Sequence, residues 1–258
     1  GYSLKEKEKK VTEHFLLLSW LFVTGLIFVG TWVLIDQGLM GYLIITDRSY
    51  VSVIVMAMYL FGLGHSLKRT WALSCELNWT AQAEQVLKAQ AGVPIRVVDE
   101  NLVCGERALP RGFLTSHVID LLNTRRAQQA EVDAAETGAE LLEAHCVPWR
   151  SENEFGWFLI DLMLKVGFLG TLVGFIWMLA SVSQHPLVDA TSMQTILREM
   201  SFGMSTALNT TLSSLVGGIL LSLPYYMLGR GLEELFETTV RLTRVEILPR
   251  LAAAGSGG

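Results

Sequence analysis

A backbone immersed in lipid must satisfy its own polar groups, and helix is the simplest way to do so. Four stretches of this chain are apolar and long enough to face that constraint, since a bilayer core about 30 Å thick takes about 20 helical residues to cross. The first, FLLLSWLFVTGLIFVGTWVLI, runs from Phe15 to Ile35. It is too long for a signal-peptide core, and no small-residue cleavage site follows it, so it is expected to span. The second is YVSVIVMAMYLFGLGHSL, Tyr50 to Leu67; the third runs from Trp157 to about Ser183 and the fourth from about Met204 to Leu228. The expected fold is an all-α membrane protein of four transmembrane helices. Composition agrees, because 51% of the 258 residues are apolar and only 17% are charged, too greasy a balance for an ordinary soluble domain.

Lys and Arg near span ends stay on the cytoplasmic side. Lys5, Lys7, Lys9, Lys10, Lys68, Arg69, Arg150 and Arg230 fall on one side of a four-span arrangement, against Arg48 and Arg198 on the other. Both termini are therefore expected in the cytoplasm. The chain then divides into a cytoplasmic N-terminus (1–14), two spans (15–67), a cytoplasmic helical segment (68–155), two further spans (156–229), a C-terminal amphipathic helix (230–252) and a linker-like end (253–258) that closes on GSGG. Within the cytoplasmic segment, RTWALSCELNWTAQAEQVLKAQ sets Trp71, Cys75, Trp79 and Val86 at helical spacing, and HVIDLLNTRRAQQAEVDAAETGAELLEAH is rich in helix formers. Between them, AGVPIRVVDENLVCGERALPRG carries Pro94, Pro110 and glycines, which predicts a loop or a small irregular insert.

The net charge of −5 and the lack of a long basic run beyond KEKEKK argue against nucleic acid as a partner. Cys75, Cys104 and Cys146 are far apart and odd in number, so reduced thiols are expected rather than a disulfide framework. His145 beside Cys146 has no second pair at ligand spacing, and no metal site is expected. His65 and His185 fall at span ends, where ordinary solvation accounts for them. There is no phosphate loop and no triad pattern, hence no catalytic residue and no cofactor; the chain does not read as an enzyme.

Span three contains a pattern that hydrophobicity does not require. Gly167, Gly170, Thr171 and Gly174 share one helical face, which lets another backbone come close. Span four adds Thr206, Asn209, Thr210, Thr211, Ser213 and Ser214, followed by Gly217 and Gly218. Ser and Thr can return their hydroxyls to the carbonyl four residues back, but an Asn amide in hydrocarbon wants a partner or water. At 1.5 Å per residue, Thr171 lies about 21 Å from the inner edge and Thr211 about 20 Å from it. A polar ring at one level suits an ion path, because hydroxyl oxygens can replace hydration without a buried charge. The candidate ion-path residues are thus Thr171, Thr211, Thr210, Asn209, Thr206 and Ser214; the candidate packing residues are Gly167, Gly170, Gly174, Gly217 and Gly218.

KVGFLGTLVGF followed by GMSTALNTTLSSLVGGILLSLP resembles the last two spans of the MotA/TolQ/ExbB proton-channel family. Thr171 matches the threonine of the family's GLLGT pattern, and Ala207, Leu208 and Thr211 match its AL-x-x-T pattern. Ser214 stands where relatives usually carry glycine. Pro224, thirteen residues past Thr211, is spaced as in the MotA branch, and four spans also look like MotA. The resemblance covers residues 160 to 230. It implies a homopentamer in a bacterial inner membrane, around two copies of a single-span MotB/TolR/ExbD-like partner, whose membrane aspartate carries the transported H+ or Na+ and couples flow to rotation or force. This chain's own acids in or near the spans are Asp36 and Asp161, and neither is such a carrier, which argues for the partner chain. Asp161 and Lys165, four apart, are spaced for an intrahelical ion pair near the inner interface; otherwise one of them lines the inner exit. The reading from a different class is a small four-helix solute transporter or membrane scaffold whose polar residues bind a substrate or glue the bundle.

Overall fold

The structure, a computed structural model, describes residues 20–21, 23–25, 50–98, 101–127, 134–184 and 190–255. Helix α1 (Val51–Ala89) leads into strands β1 (Ile95–Val98), β2 (Asn101–Cys104) and β3 (Arg107–Ala108), then α2 (Phe113–Ala127), α3 (Ala134–Gln184) and α4 (Ala190–Arg241). A π-helical turn, Leu242–Ile247, joins α4 to α5 (Leu248–Gly255). Three helices, α1, α3 and α4, are long and apolar enough to cross a membrane. They contain the second, third and fourth expected spans. Most of the first, Phe15 to Ile35, lies outside the described residues, as do Asp36 and His185.

These helices do not stop where their apolar stretches end. Helix α1 continues through the WALSCELNW region to Ala89, and Pro148 and Pro224 are carried inside α3 and α4. The tail after residue 230 does not form a separate helix at first; α4 runs on to Arg241 and only then loosens into the π turn. Within α1 the Trp spacing marks the outer face, since Trp71 is 66% exposed while Leu73, Thr80, Ala83 and Leu87 are buried.

The chain forms two compact units. One, built from Arg69–Asn153 and Met227–Gly258, contains the sheet. There the region expected to be irregular is an antiparallel meander, ordered β1-β2-β3, with Ile95 opposite Cys104 and Val97 opposite Leu102. Alternation in these short strands turns Ile95, Leu102 and Cys104 inward, where they join Ala83, Leu87, Leu114, Val118, Leu242 and Ile247 in one core. Prolines and glycines punctuate the segment, but the four-residue strands between them bury enough to pair. Gly105, at φ +62°, makes the tight turn between β2 and β3.

Helix ends in this unit are closed by side chains from other elements. The Glu76 carboxylate of α1 accepts the first amide of α2, Phe113 N–H, at 2.8 Å, and burial raises the Glu76 pKa. Arg250 of α5 donates to the carbonyl of Leu87 (3.0 Å), in the last turn of α1, and to that of Gln90 (3.3 Å) just past it, which also accepts Val93 N–H. Glu84, almost wholly buried, is neutralised by Lys88 and Arg241, each at 3.0 Å. A buried carboxylate of this kind persists only when paired.

His117 of α2 is 3% exposed, and its Nδ1 has no hydrogen-bond partner among the described residues. Its ring lies 5.7 Å from that of His145, whose Nε2 is 3.0 Å from Asp120 Oδ2. Burial above all, and then the His145 charge, push the His117 pKa down from 6.5 to about 4, with Asp120 opposing. The unfolded chain therefore takes up a proton below its higher pKa that the folded chain refuses. Stability is fully present above pH 6.5 and falls as the pH drops toward about 4, by about 3 kcal/mol. Chemical unfolding followed by tryptophan fluorescence should show His117→Leu gaining on the natural chain across that window. A stability difference independent of pH would exclude a buried neutral imidazole.

Candidate functional site

The second unit, Ser19–Lys68 with Glu154–Tyr226, brings together the glycine face of α3 and the hydroxyl-rich stretch of α4. The two helices run antiparallel, so that partners descend on α4 as they ascend on α3: Gly156 meets Tyr225, Gly167 meets Ser214, Gly170 meets Thr210, and Gly174 meets Ala207 and Gly203. A methyl group placed on Gly170 would stand 2.7 Å from Thr210 Cβ, and one on Gly174 would stand 2.7 Å from the Gly203 carbonyl oxygen. Real carbons do not approach so closely. At Gly167 it would overlap the Ser214 side chain, and at Gly156 the Tyr225 ring. Gly218 is less crowded, with Leu164 at 3.1 Å, and Gly217 faces the flexible Met163 at 3.4 Å and the Tyr59 ring at 3.7 Å.

Side chains on α4 fill the space that α3 leaves. Thr206, Thr210 and Ser214 are 1%, 0% and 2% exposed. The Thr210 hydroxyl donates to Ala207 O at 3.1 Å and Ser214 to Thr211 O at 2.9 Å, both within their own helix. These two residues, read from the sequence as parts of an ion path, are buried in the seam with their hydroxyl protons bonded to their own helix. Ser213 likewise returns to Asn209 O at 2.8 Å, and Asn209 Nδ2 donates to Ser205 Oγ at 3.4 Å.

Thr171 and Thr211 stand apart from that group. Their hydroxyls are in direct hydrogen-bond contact across the seam, with Thr171 half-buried and Thr211 exposed at its edge. Thr211 Oγ1 donates to Ala207 O at 3.1 Å, and Thr171 Oγ1 lies 3.3 Å from Gly167 O and 3.4 Å from Ala207 O. Each hydroxyl has one proton. If Thr211 gives its own to Ala207, it accepts from Thr171, and the Thr171 oxygen keeps both lone pairs for a ligand. The pair can thus offer oxygen donors at one height without a fixed charge. Asp161 and Lys165 pair at 2.6 Å along α3, both well exposed, and neither is brought to the threonines.

Sequence reasoning passed over a second polar pair in this unit. His65 of α1, expected to be merely solvated, has Nδ1 2.7 Å from the Tyr225 hydroxyl, which is also 3.2 Å from the Gly62 carbonyl. Phe61, Phe155 and Tyr225 ring the imidazole, with centroids 5.5 to 6.5 Å away. Extending the Gly167–Ser214 register down the helices would have placed Gly156 beside Tyr225 and exposed the cluster. Outward from the seam, Phe168, Leu172, Phe175 and Ile176 on α3 and Leu208, Leu212, Leu215 and Ile219 on α4 are large, apolar and exposed. Such a surface suits lipid or a neighbouring subunit.

No protein-family model matches the chain, and no characterised protein matches it.

Overpacking the seam should cost about 1–3 kcal/mol or more. Gly170→Leu is expected to lower the thermal midpoint in detergent sharply, whereas Gly217→Ala should leave it within a few degrees. Equal tolerance at both positions would mean that α3 and α4 do not approach as closely as Gly170 and Thr210 indicate.

Proposed function

We propose that this chain is the ion-conducting subunit of a proton- or sodium-driven membrane complex of the MotA/TolQ/ExbB kind. The observation that carries the reading is the contact between Thr171 and Thr211, two uncharged oxygen donors meeting inside apolar helices. From Leu162 to Val188 and from Met200 to Leu232 the sequence contains no Asp or Glu. An acid that binds and releases the ion must then come from another chain. In the full assembly the expectation is four spans, cytoplasmic termini, and a pentamer around two single-span partners that each bring one aspartate.

The mechanism follows from electrostatics. A carboxylate in lipid is costly, and transient oxygen ligands or a proton lower that cost. While the partner's aspartate is charged it is held beside the threonine hydroxyls; once it takes up an ion it is neutral and can slide to the next subunit. Close packing at Gly167, Gly170 and Gly174 keeps water from passing between α3 and α4, so that ions move with the partner along the seam's edge, where Thr171 and Thr211 meet, rather than through the helix pair. The load could be a flagellum, gliding, outer-membrane energisation or phage defence.

The rival scaffold reading draws on the buried hydroxyls of Thr210 and Ser214, which serve packing. Valine substitutions separate the two. Thr171→Val and Thr211→Val keep shape and volume while removing the oxygen. Each should copurify with the same partner in the same particle as the natural chain yet lose most ion-driven work. Full activity in both variants, or a particle that works with no second chain, would support the scaffold or carrier instead.

A further inference from the structure

We propose that the His65–Tyr225 pair is the inner proton-transfer station of this path, which commits the carried ion to H+. The inference rests on the ion-path reading and deepens it.

Three sets of polar groups lie along α4 in order. Thr171 and Thr211 form the first. Tyr59 of α1 is the second: its ring comes within 3.7 Å of where a Gly217 side chain would begin, and its hydroxyl is buried with no hydrogen-bond partner among the described residues. Gly217 is six residues beyond Thr211, about 9 Å along the helix. Tyr225 with His65 is the third, eight residues farther, or about 12 Å. A buried hydroxyl without a partner calls for a water or another guest beside it, and the Tyr59 ring stands, along α4, at a level between the other two sets. The gaps suit short chains of water rather than direct contact.

The third set has the geometry of a two-position proton switch. The Tyr225 hydroxyl has two acceptors in reach, His65 Nδ1 at 2.7 Å and Gly62 O at 3.2 Å. With the imidazole proton on Nε2, Tyr225 donates to Nδ1; with it on Nδ1, the ring donates to the Tyr225 oxygen and the hydroxyl turns to Gly62 O. Transfer inward uses both. The Tyr225 O–H proton passes to Nδ1, the oxygen regains a proton from water on the Tyr59 side, and Nε2 releases its proton to water beyond. One proton has entered and one has left, the pair is neutral again, and the imidazole is in its other tautomer. The reset does not run back through Tyr225: a turn of the imidazole about Cβ–Cγ carries Nδ1–H away from Tyr225, both ring nitrogens exchange with water on the inner side alone, and the ring turns back with its proton on Nε2.

Sodium would need a cage of oxygens to replace its hydration shell, whereas Phe61, Phe155 and the Tyr225 ring stand around the imidazole among the described residues. A proton needs only a hydrogen-bonded relay.

An alternative role, a clamp holding α1 to α4, is separable by choice of substitution. His65→Asn places an amide N–H where Nδ1–H stands and keeps the bond to Tyr225, but it cannot pass a proton on. Tyr225→Phe keeps the ring against Gly156 and removes the relay oxygen. The test uses membrane vesicles from cells expressing the full chain together with the reading frames beside its gene, with flux read by a pH-sensitive dye and by 22Na+ uptake. The natural chain should conduct H+ and not Na+, with slower flux in D2O. Both variants should assemble normally and lose about a hundredfold in H+ flux, the lower end of what a positioned proton-transfer group contributes. Flux abolished by Thr211→Val but unchanged in His65→Asn and Tyr225→Phe, or carried by Na+, would overturn the relay and leave the ion path standing. No flux of either ion in the natural chain would overturn both.

Discussion

The structure depends on how closely α3 and α4 approach. In lipid there is little hydrophobic gain from bringing two apolar helices together, so association relies on van der Waals contact and on whatever polar bonds can be made across the interface. Glycine at 167, 170 and 174 makes that contact possible, and the small side chains of Ala207, Thr210 and Ser214 fill it. Once the backbones are this near and antiparallel, Thr171 and Thr211 have nowhere to meet but at the seam's edge. The hydroxyl contact is a consequence of the glycine spacing.

Each hydroxyl in α4 then has its role set by its position around the helix. Those facing α3 are buried and spend their protons on their own backbone, which hides polarity from lipid at low cost. Thr211, one step around, reaches the edge and can face a partner or an ion. Farther along, Tyr225 occupies the space opposite Gly156 and turns its hydroxyl toward His65 and Gly62. A single small-residue register therefore organises both polar pairs. The separate unit around the β1-β2-β3 sheet is held by different means, a conventional apolar core with side chains from distant parts of the sequence closing the helix ends.

Much of this was legible in the residues. Apolar length marked the helices that carry the second, third and fourth spans, and the offsets of Gly167, Gly170 and Gly174 marked the packing face. Counting rise per residue put Thr171 and Thr211 at one depth, and their hydroxyls touch. What was not legible required knowing which way a side chain turns. Helical spacing alone could not say that Thr210 and Ser214 face inward while Thr211 does not, nor that Trp71 and Trp79 lie on the outer face of α1. The sheet escaped because its strands are two to four residues long and sit among prolines and glycines, where local pattern is weakest. His65 escaped because its partner is 160 residues away.

The central claim is that the Thr171–Thr211 pair is reached by water and ions although it lies within apolar helices. Substituted-cysteine labelling in native membranes tests it most directly. Thr211→Cys should react with a small membrane-impermeant thiosulfonate and lose ion-driven work as it does so. Leu212→Cys and Val216→Cys, on the side of α4 away from the seam, should stay unlabelled. Labelling that is equal at all three positions, or absent at position 211, would contradict the account.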